Sequence, residues 1–252
     1  MKLLYEAAEP PAFDIVNAAG SADMLLLCDH ASHRVPLALH QLGLTAQQLL
    51  DHIGWDAGAA EVALQMSLLL DAPLILCNYS RLVIDCNRSP DSKQSILERS
   101  DGTVIPGNER LTEQARTLRV REIFEPYHQA IAAHLDARAT GSTALLSIHS
   151  FTPMLAGRLR PWSVGVCAGT DRRLADPLLS VLRQQLDSSV GDNQPYSIET
   201  NVDYTLPFHA GQRGLPNVML EISRDQIENP RGVMRWAQHL ATAWQRALTI
   251  LQ

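Results

Sequence analysis

At 252 residues, 46% of them hydrophobic, the chain can bury a sizeable core, and no Gly/Ser/Pro-rich linker or charge run divides it, so a single domain over residues 1–252 is expected. A formal net charge of -6 without any Lys/Arg cluster argues against a nucleic-acid-binding surface. No apolar run approaches the roughly 18 residues that a bilayer span requires, which argues against a membrane partner.

The opening stretch, MKLLYEAAEPPAF, has no long apolar segment of the signal-peptide kind. The four cysteines (Cys28, Cys77, Cys86, Cys167) form no CxxC pair and sit mostly in apolar runs. They read as small buried hydrophobes of a reducing compartment, and a cytoplasmic location is expected. The Asn78 and Asn87 glycosylation patterns are then chance matches.

Residues 1–20 read as an irregular arm stiffened by Pro10 and Pro11. Met24–Cys28 is a short, fully apolar run of the kind that forms a buried strand of a parallel sheet, and it ends on Asp29, His30 and His33. Thr45 is a candidate cap for a short helix. Over 57–70, Val62, Met66 and Leu69 fall at helical spacing beside Ala59 and Ala63. Leu74–Cys77 is a second buried strand, and 82–85 reads as a third extended piece closing on Asn87 and Arg88.

Residues 89–110 lack periodicity and form a loop long enough to suggest function or mobility. The longest helical pattern follows, from Leu111 through Ile123, Tyr127 and Ile131 to Leu135, with Asn108 as its expected cap, a kink at Pro126 and an end at Gly141. Strands are expected at 144–148, delivering His149, and at 162–167. A helix at 171–186 carries Leu174, Leu178, Leu182 and Leu186 on one face. Residues 191–214 read as a second irregular stretch. A last strand over 217–222 delivers Glu221, and a helix over about 231–251 packs through Val233, Trp236, Leu240, Trp244 and Leu248. Strands and helices alternate, so the fold class is α/β with a mostly parallel sheet.

In such sheets ligands bind beyond the carboxyl ends of the strands, where His30/His33, Asn87/Arg88, His149 and Glu221 all fall. Two or three His/Asp/Glu ligands with an open position describe a catalytic zinc site. Glu221, between Leu220 and Ile222, suits a general acid/base whose pKa burial raises. The planar guanidinium of Arg88 suits a substrate carboxylate. A cysteine hydrolase built on Cys28 and His30 places nucleophile and base two residues apart, a spacing that rarely lets them face each other. No Gly-x-Ser-x-Gly elbow supports a serine hydrolase. A non-catalytic metal-binding module remains the alternative from another class. His40, His52, His128, His134 and His239 receive no role.

Four segments, Cys28-Asp-His-Ala-Ser-His-Arg-Val-Pro36, Tyr79-Ser-Arg-Leu-Val-Ile-Asp-Cys-Asn-Arg88, Ser147-Ile-His-Ser-Phe-Thr152 and Gly214-Leu-Pro-Asn-Val-Met-Leu-Glu-Ile222, resemble the N-formylglutamate amidohydrolase family, in order, over residues 24–225. The Asp-Cys-Asn-Arg88 segment is also similar to the Asp-x-Asn-Arg motif of aspartoacylases. The resemblance implies a three-layer α/β/α fold like that of zinc carboxypeptidases, one zinc ion, and hydrolysis of the amide bond of a small N-acyl amino acid such as N-formylglutamate. Another N-acyl amino acid or a short peptide is the alternative substrate.

By position, the resemblance makes His30 and His149 metal ligands, Glu221 the general acid/base, Asn87 and Arg88 substrate-carboxylate binders assisted by Arg81, and His209 a residue that touches substrate. Where the related zinc enzymes carry His-x-x-Glu, this chain has His33, so either His33 is a ligand or the carboxylate comes from elsewhere. Asp56 is the preferred third ligand, though Asp at that point also suits a helix cap. Asp29 is expected to orient an imidazole from behind. The family's Glu-Ile-Arg-x-Asp is here Glu221-Ile-Ser-Arg-Asp225, and a one-residue shift on a strand changes faces.

Overall fold

The computed structural model describes residues 2–4, 8–138, 143–186 and 189–251. Seven strands form one sheet: β1 (Phe13–Val16), β2 (Met24–Cys28), β3 (Leu74–Cys77), β4 (Ala144–Phe151), β5 (Val164–Cys167), β6 (Val190–Asp192) and β7 (Asn217–Ser223). Their spatial order is β1-β3-β2-β4-β7-β5-β6. The central four, β3-β2-β4-β7, are mutually parallel. β1 pairs antiparallel with β3, and β5 antiparallel with β7 while carrying the parallel β6.

Period-two alternation splits the core into two layers. Met24, Leu26, Leu74, Leu146, Val218 and Leu220 face helices α2 (Ala59–Leu70), α5 (Ala175–Leu186) and α7 (Pro230–Leu251). Leu25, Leu27, Ile75, Leu145 and Met219 face the other way, onto Ile123, Tyr127 and Ile131. Helices on both faces give the three-layer α/β/α arrangement. On the second face the apolar positions give way, toward the strand ends, to Ser147, His149 and Glu221, all buried. That change of polarity within a strand is what places chemistry at the edge of the sheet.

Two short helices lie between the site segments: α1 (Ala46–Leu50), capped by Thr45 as expected, between His30 and Asp56, and α6 (Thr205–His209), between His149 and Glu221. The long pattern is not one helix. It runs as α3 (Glu113–Arg119), a wide turn over Val120–Phe124, and α4 (Glu125–Asp136). Pro126 opens α4, directly after the widened turn, where its missing N–H is most easily absorbed. Thr112 caps α3, accepting from the Ala115 N–H. Asn108, the expected cap, is buried and bonds Leu82 O, Leu97 O and Arg119 instead. The expected end at Gly141 lies outside the described residues.

Other expectations shift as well. Residues 82–85 are not a strand but a buried turn. The N-terminal arm contributes β1, which the sequence hid because none of its four residues is buried: Phe13 and Val16 are half-buried, and Asp14 and Ile15 are exposed. β6 and α6 fall in the stretch read as irregular. Leu69 and Leu248, placed on packed faces, are 43% and 38% exposed. No helix among the described residues is long and apolar enough to cross a membrane.

Candidate active site

Five chain segments deliver the site, each anchored by backbone bonds. Asp29 and His30 leave the end of β2, and the Asp56 N–H donates to His30 O at 3.1 Å, tying the two loops together. Gly58, at φ +83, turns the chain from Asp56 into α2. A Cβ there would lie 2.7 Å from Ile227 O, so only glycine fits. Asp85-Cys86-Asn87-Arg88 is held by the Asp85 N–H on Ser95 O (2.7 Å) and by the Tyr204 N–H on Asn87 O (3.1 Å). His149 and Glu221 are direct register partners on β4 and β7. On the far side of Glu221 lies Gly165, where a Cβ would collide with Gln194 O at 2.0 Å. The missing side chain lets the 194–195 backbone close over the strand ends.

His30, Asp56 and His149, all buried, present ligand atoms within 4.8 Å of one another, a group that could hold a metal ion. The Nδ1 atoms of both imidazoles meet the same oxygen, Asp56 Oδ2, at 3.2 Å for His30 and 2.8 Å for His149. Their Nε2 atoms point away onto separate carboxylates: His30 to Asp85 Oδ1 at 2.7 Å, His149 to Asp29 Oδ2 at 3.1 Å. Asp29 in turn accepts from Tyr127 Oη (3.0 Å), Thr205 Oγ1 (2.7 Å) and Ser147 Oγ (3.1 Å). Each ring is therefore fixed in orientation by a carboxylate behind it, the arrangement that tunes metal-binding histidines.

The electrostatics follow from this packing. Burial pushes the Asp29, Asp56 and Asp85 carboxyls upward, but their hydrogen-bonded histidines, with Arg81 beside Asp85, outweigh it and hold all three below the usual range. Burial lowers His149, yet its bonds to Asp29 and Asp56 carry it well above the ordinary value. Burial raises Glu221 to about 7, opposed by His149 and reinforced by Asp56. Glu221 Oε2 is buried and has no partner, an exposed lone pair in chemical terms, though not in solvent terms.

The cavity in front of these groups has a volume of about 600 Å³ and is lined by His30, Asp56, Arg81, Asn87, Arg88, His149 and Glu221 among others. Arg81 reaches Asp85 Oδ2 at 2.8 Å and Asp56 Oδ1 at 3.6 Å. Arg88 Nη1 donates to Asp203 Oδ1 (2.9 Å) and to Asn87 O (2.8 Å). Asn87 Nδ2 donates to the same Asp203 oxygen at 3.1 Å.

Two sequence candidates are not brought to this cluster. His33 is exposed, packs edge-on against Trp55 with ring centroids 5.0 Å apart, and lines a separate surface groove. His209 is buried and does not line the cavity. Its Nε2 lies 2.9 Å from His128 Nδ1, and His128 Nε2 donates to Cys86 O at 2.9 Å. A carbonyl only accepts, so His128 carries its proton on Nε2 and His209 donates to it. Burial lowers His128 to about 4; burial, with His128 and Arg213, lowers His209 to about 3. The pair is a neutral buttress behind Cys86 and Asn87.

His128, given no role from sequence, thus supports the site. Asp85, Asp203, Tyr127 and Thr205 were also missed as site groups. Asp85 carried a signal, as the first residue of the Asp-x-Asn-Arg motif, whereas the other three lie far away in sequence and carried none. Asp56 is not a helix cap, since Gly58 occupies that position. Cys28 is fully buried and its thiol is pushed far up by burial, with Asp56 and Asp29 adding to the effect, the opposite of an activated nucleophile.

The family model for N-formylglutamate amidohydrolase matches residues 22–228, a span containing every site group described above. The chain belongs to the N-formylglutamate amidohydrolase family. Membership makes it an amidohydrolase. A gene product of Agrobacterium tumefaciens superposes with a TM-score of 0.94 at 36% identity, over 99% of this chain and 99% of that one. An N-formylglutamate amidohydrolase from Ralstonia eutropha shares the fold, with a TM-score of 0.69 at 17% identity over 96% and 98% of the two chains. No curated protein matches the chain closely enough to add to this.

Proposed function

We propose that the protein is a zinc-dependent amidohydrolase that cleaves the amide bond of a small N-acyl amino acid, with His30, Asp56 and His149 as metal ligands and Glu221 as general acid/base. The observation that carries the reading is the convergence of two imidazole Nδ1 atoms and one carboxylate beside a buried glutamate oxygen without a partner. Two nitrogens and one oxygen form a donor set suited to zinc that leaves a position free for substrate. His33 has no part in it.

When bound, the zinc ion polarises the amide carbonyl and acidifies water at neutral pH. The protein's own groups supply the rest. Asp85 and Asp29 hold the His30 and His149 rings so that Nδ1 stays a lone-pair donor. Glu221, raised toward neutrality by burial, takes the proton of the attacking water and returns it to the departing amine nitrogen. The unpaired Nε and Nη2 edge of Arg88 binds the substrate α-carboxylate, with Asn87 fixed beside it. Arg81 neutralises Asp85 and Asp56 and thereby offsets the negative charge of the ligand shell. His209 is a positioning residue, acting through His128.

The test is hydrolysis of a panel of N-formyl amino acids by purified protein before and after chelation. Activity lost on chelation and restored by one equivalent of zinc is the expected result. Full activity in demetallated protein rejects the reading.

A further inference from the structure

Phe151 stands on β4 two residues beyond His149, and both line the cavity. Residues i and i+2 of a strand share a face, about 6.6 Å apart along it, so the Phe151 ring continues the wall that carries the metal-binding group. Tyr196 lines the same cavity. Against these two rings lies Arg160, at the end of a two-stranded hairpin in which Met154–Leu155 pairs with Arg158–Leu159. The Arg160 N–H closes the hairpin on Pro153 O at 2.8 Å. Its guanidinium carbon is 4.9 Å from the Tyr196 ring centroid and 5.9 Å from that of Phe151, within the range of a cation–π contact.

The other cations around the cavity are engaged or solvated. Arg81 pairs with Asp85 and Asp56, and Arg88 Nη1 with Asp203. Arg224 donates to Leu50 O and lines a different groove. Lys93 and Arg99, beside residues of the mouth loop, are exposed, so water satisfies their donors. Arg160 is different. It is half-buried, makes no ion pair among the described residues, and its Nη1 is buried without a hydrogen-bond partner. Stacking on rings occupies the guanidinium faces and leaves the N–H fork in its plane free. A buried donor with nothing to donate to is costly, and that cost is relieved when an acceptor arrives.

The geometry points to Arg160 as a specificity-determining residue: extended between Phe151 and Tyr196, its guanidinium receives an anionic group on the substrate side chain. Arg160 stands behind the two rings rather than in the cavity lining, and its flexible stem carries the fork forward between them. The inference rests on the amidohydrolase reading above and deepens it by naming the residue that reads the side chain. Arg88 serves the α-carboxylate common to all N-acyl amino acids, so discrimination among side chains falls to a second cation. The step of about 6.6 Å from His149 to Phe151 along β4 matches the stretch from the scissile amide to the end of a glutamate-length side chain. A planar guanidinium meets a carboxylate there through two parallel N–H donors.

N-formylglutamate and N-formylglutamine are nearly isosteric and differ in charge, so their ratio of kcat/KM reads the contact directly. In zinc-loaded wild type the glutamate compound is expected to lead by about tenfold; a lead below about threefold, or a reversal, overturns the inference. Arg160→Gln keeps much of the stem that packs on the rings and should erase the lead, with kcat/KM falling about tenfold further for the glutamate compound than for the glutamine compound. A lead that persists, or an equal fall for both, overturns the assignment. Arg160→Lys keeps the charge and should recover part of the lead, and a lysine variant no better than the glutamine one overturns it too. Lys93→Gln combined with Arg99→Gln should leave the ratio unchanged; loss of the lead in that variant assigns the role elsewhere and overturns it for Arg160.

A calorimetric titration of the zinc-loaded protein with free glutamate and free glutamine reads the same preference without turnover. If neither formyl compound is hydrolysed, but glutamate binds at least about fivefold tighter and Arg160→Gln removes the difference, the hydrolytic reading falls and the role of Arg160 stands. Equal binding, tighter glutamine, binding of neither, or a preference that survives Arg160→Gln overturns that role.

Discussion

Replacing Asp29 by Asn tests whether the carboxylate behind His149 tunes the metal site. Asp29 is 1% exposed and accepts four side-chain donors, two on each oxygen. An Asn of the same shape can keep its carbonyl oxygen toward His149 Nε2–H and Ser147, because the hydroxyls of Tyr127 and Thr205 can rotate to accept from the amide. What is lost is the charge on the acceptor. A hydrogen bond to a charged group contributes about 1.5–3 kcal/mol, against about 0.5–1.5 for a neutral one. The difference, about 1.4 kcal/mol, corresponds to about tenfold weaker zinc binding, at the lower end of the loss expected for such supporting groups. Asp29→Ala, which leaves three hydroxyls and an imidazole N–H facing a void, should cost more and also lower the melting temperature. The assay is competition for zinc against a chromophoric chelator at fixed pH. Zinc affinity within twofold of wild type in both variants would refute the assignment of Asp29 to the metal site.

Three further outcomes are expected. Glu221→Gln should retain stoichiometric zinc while kcat falls by about 10²–10⁴-fold; near-normal turnover with metal in place removes Glu221 as acid/base. Arg88→Lys should raise KM about tenfold with kcat little changed, since an ammonium cannot serve Asp203 and a substrate carboxylate through one planar fork, and steady-state kinetics read the split. The neutral His128–His209 pair should make the fold acid-labile. Unfolded histidine takes a proton near pH 6.5, whereas folded His128 does so only near 4 and His209 near 3. Their contribution is therefore complete above about pH 6.5 and is lost as pH falls from there toward 4, by about 3 kcal/mol for His128 alone. In thermal melts of zinc-loaded protein, His209→Gln should flatten the decline in melting temperature between pH 7 and 5; an unaltered slope contradicts the neutral pair.

The sheet was readable because its four central strands are buried on both faces and mostly apolar, so Met24–Cys28 and Ala144–Ile148 announce themselves without help from context. β1 was not, since an edge strand with half-exposed residues owes its pairing to β3 rather than to its own pattern. The same division runs through the site. His30, His149 and Glu221 stand at the ends of such strands, where a polar group interrupts a buried run, and Asp56 and Arg88 sit in short motifs. His33 carried the same local signal as His30, three residues away, but the loop leaves the sheet after His30 and turns His33 out onto Trp55. His209 matched its expected sequence context yet lies one layer too deep, behind Cys86. Asp203, Tyr127 and Thr205 meet the site from as far as 176 residues away in the chain, and only the packing of α4 and α6 against the strand ends brings them there.

The central claim is that His30, Asp56 and His149 together hold one ion. Isothermal titration of demetallated protein with zinc, run on wild type and on His30→Ala, Asp56→Ala, His149→Ala and His33→Ala, tests it most directly. One site per chain in wild type and in His33→Ala, and its loss in the other three, is the predicted result. Wild-type zinc binding in His149→Ala or Asp56→Ala, or its loss in His33→Ala, would contradict the account.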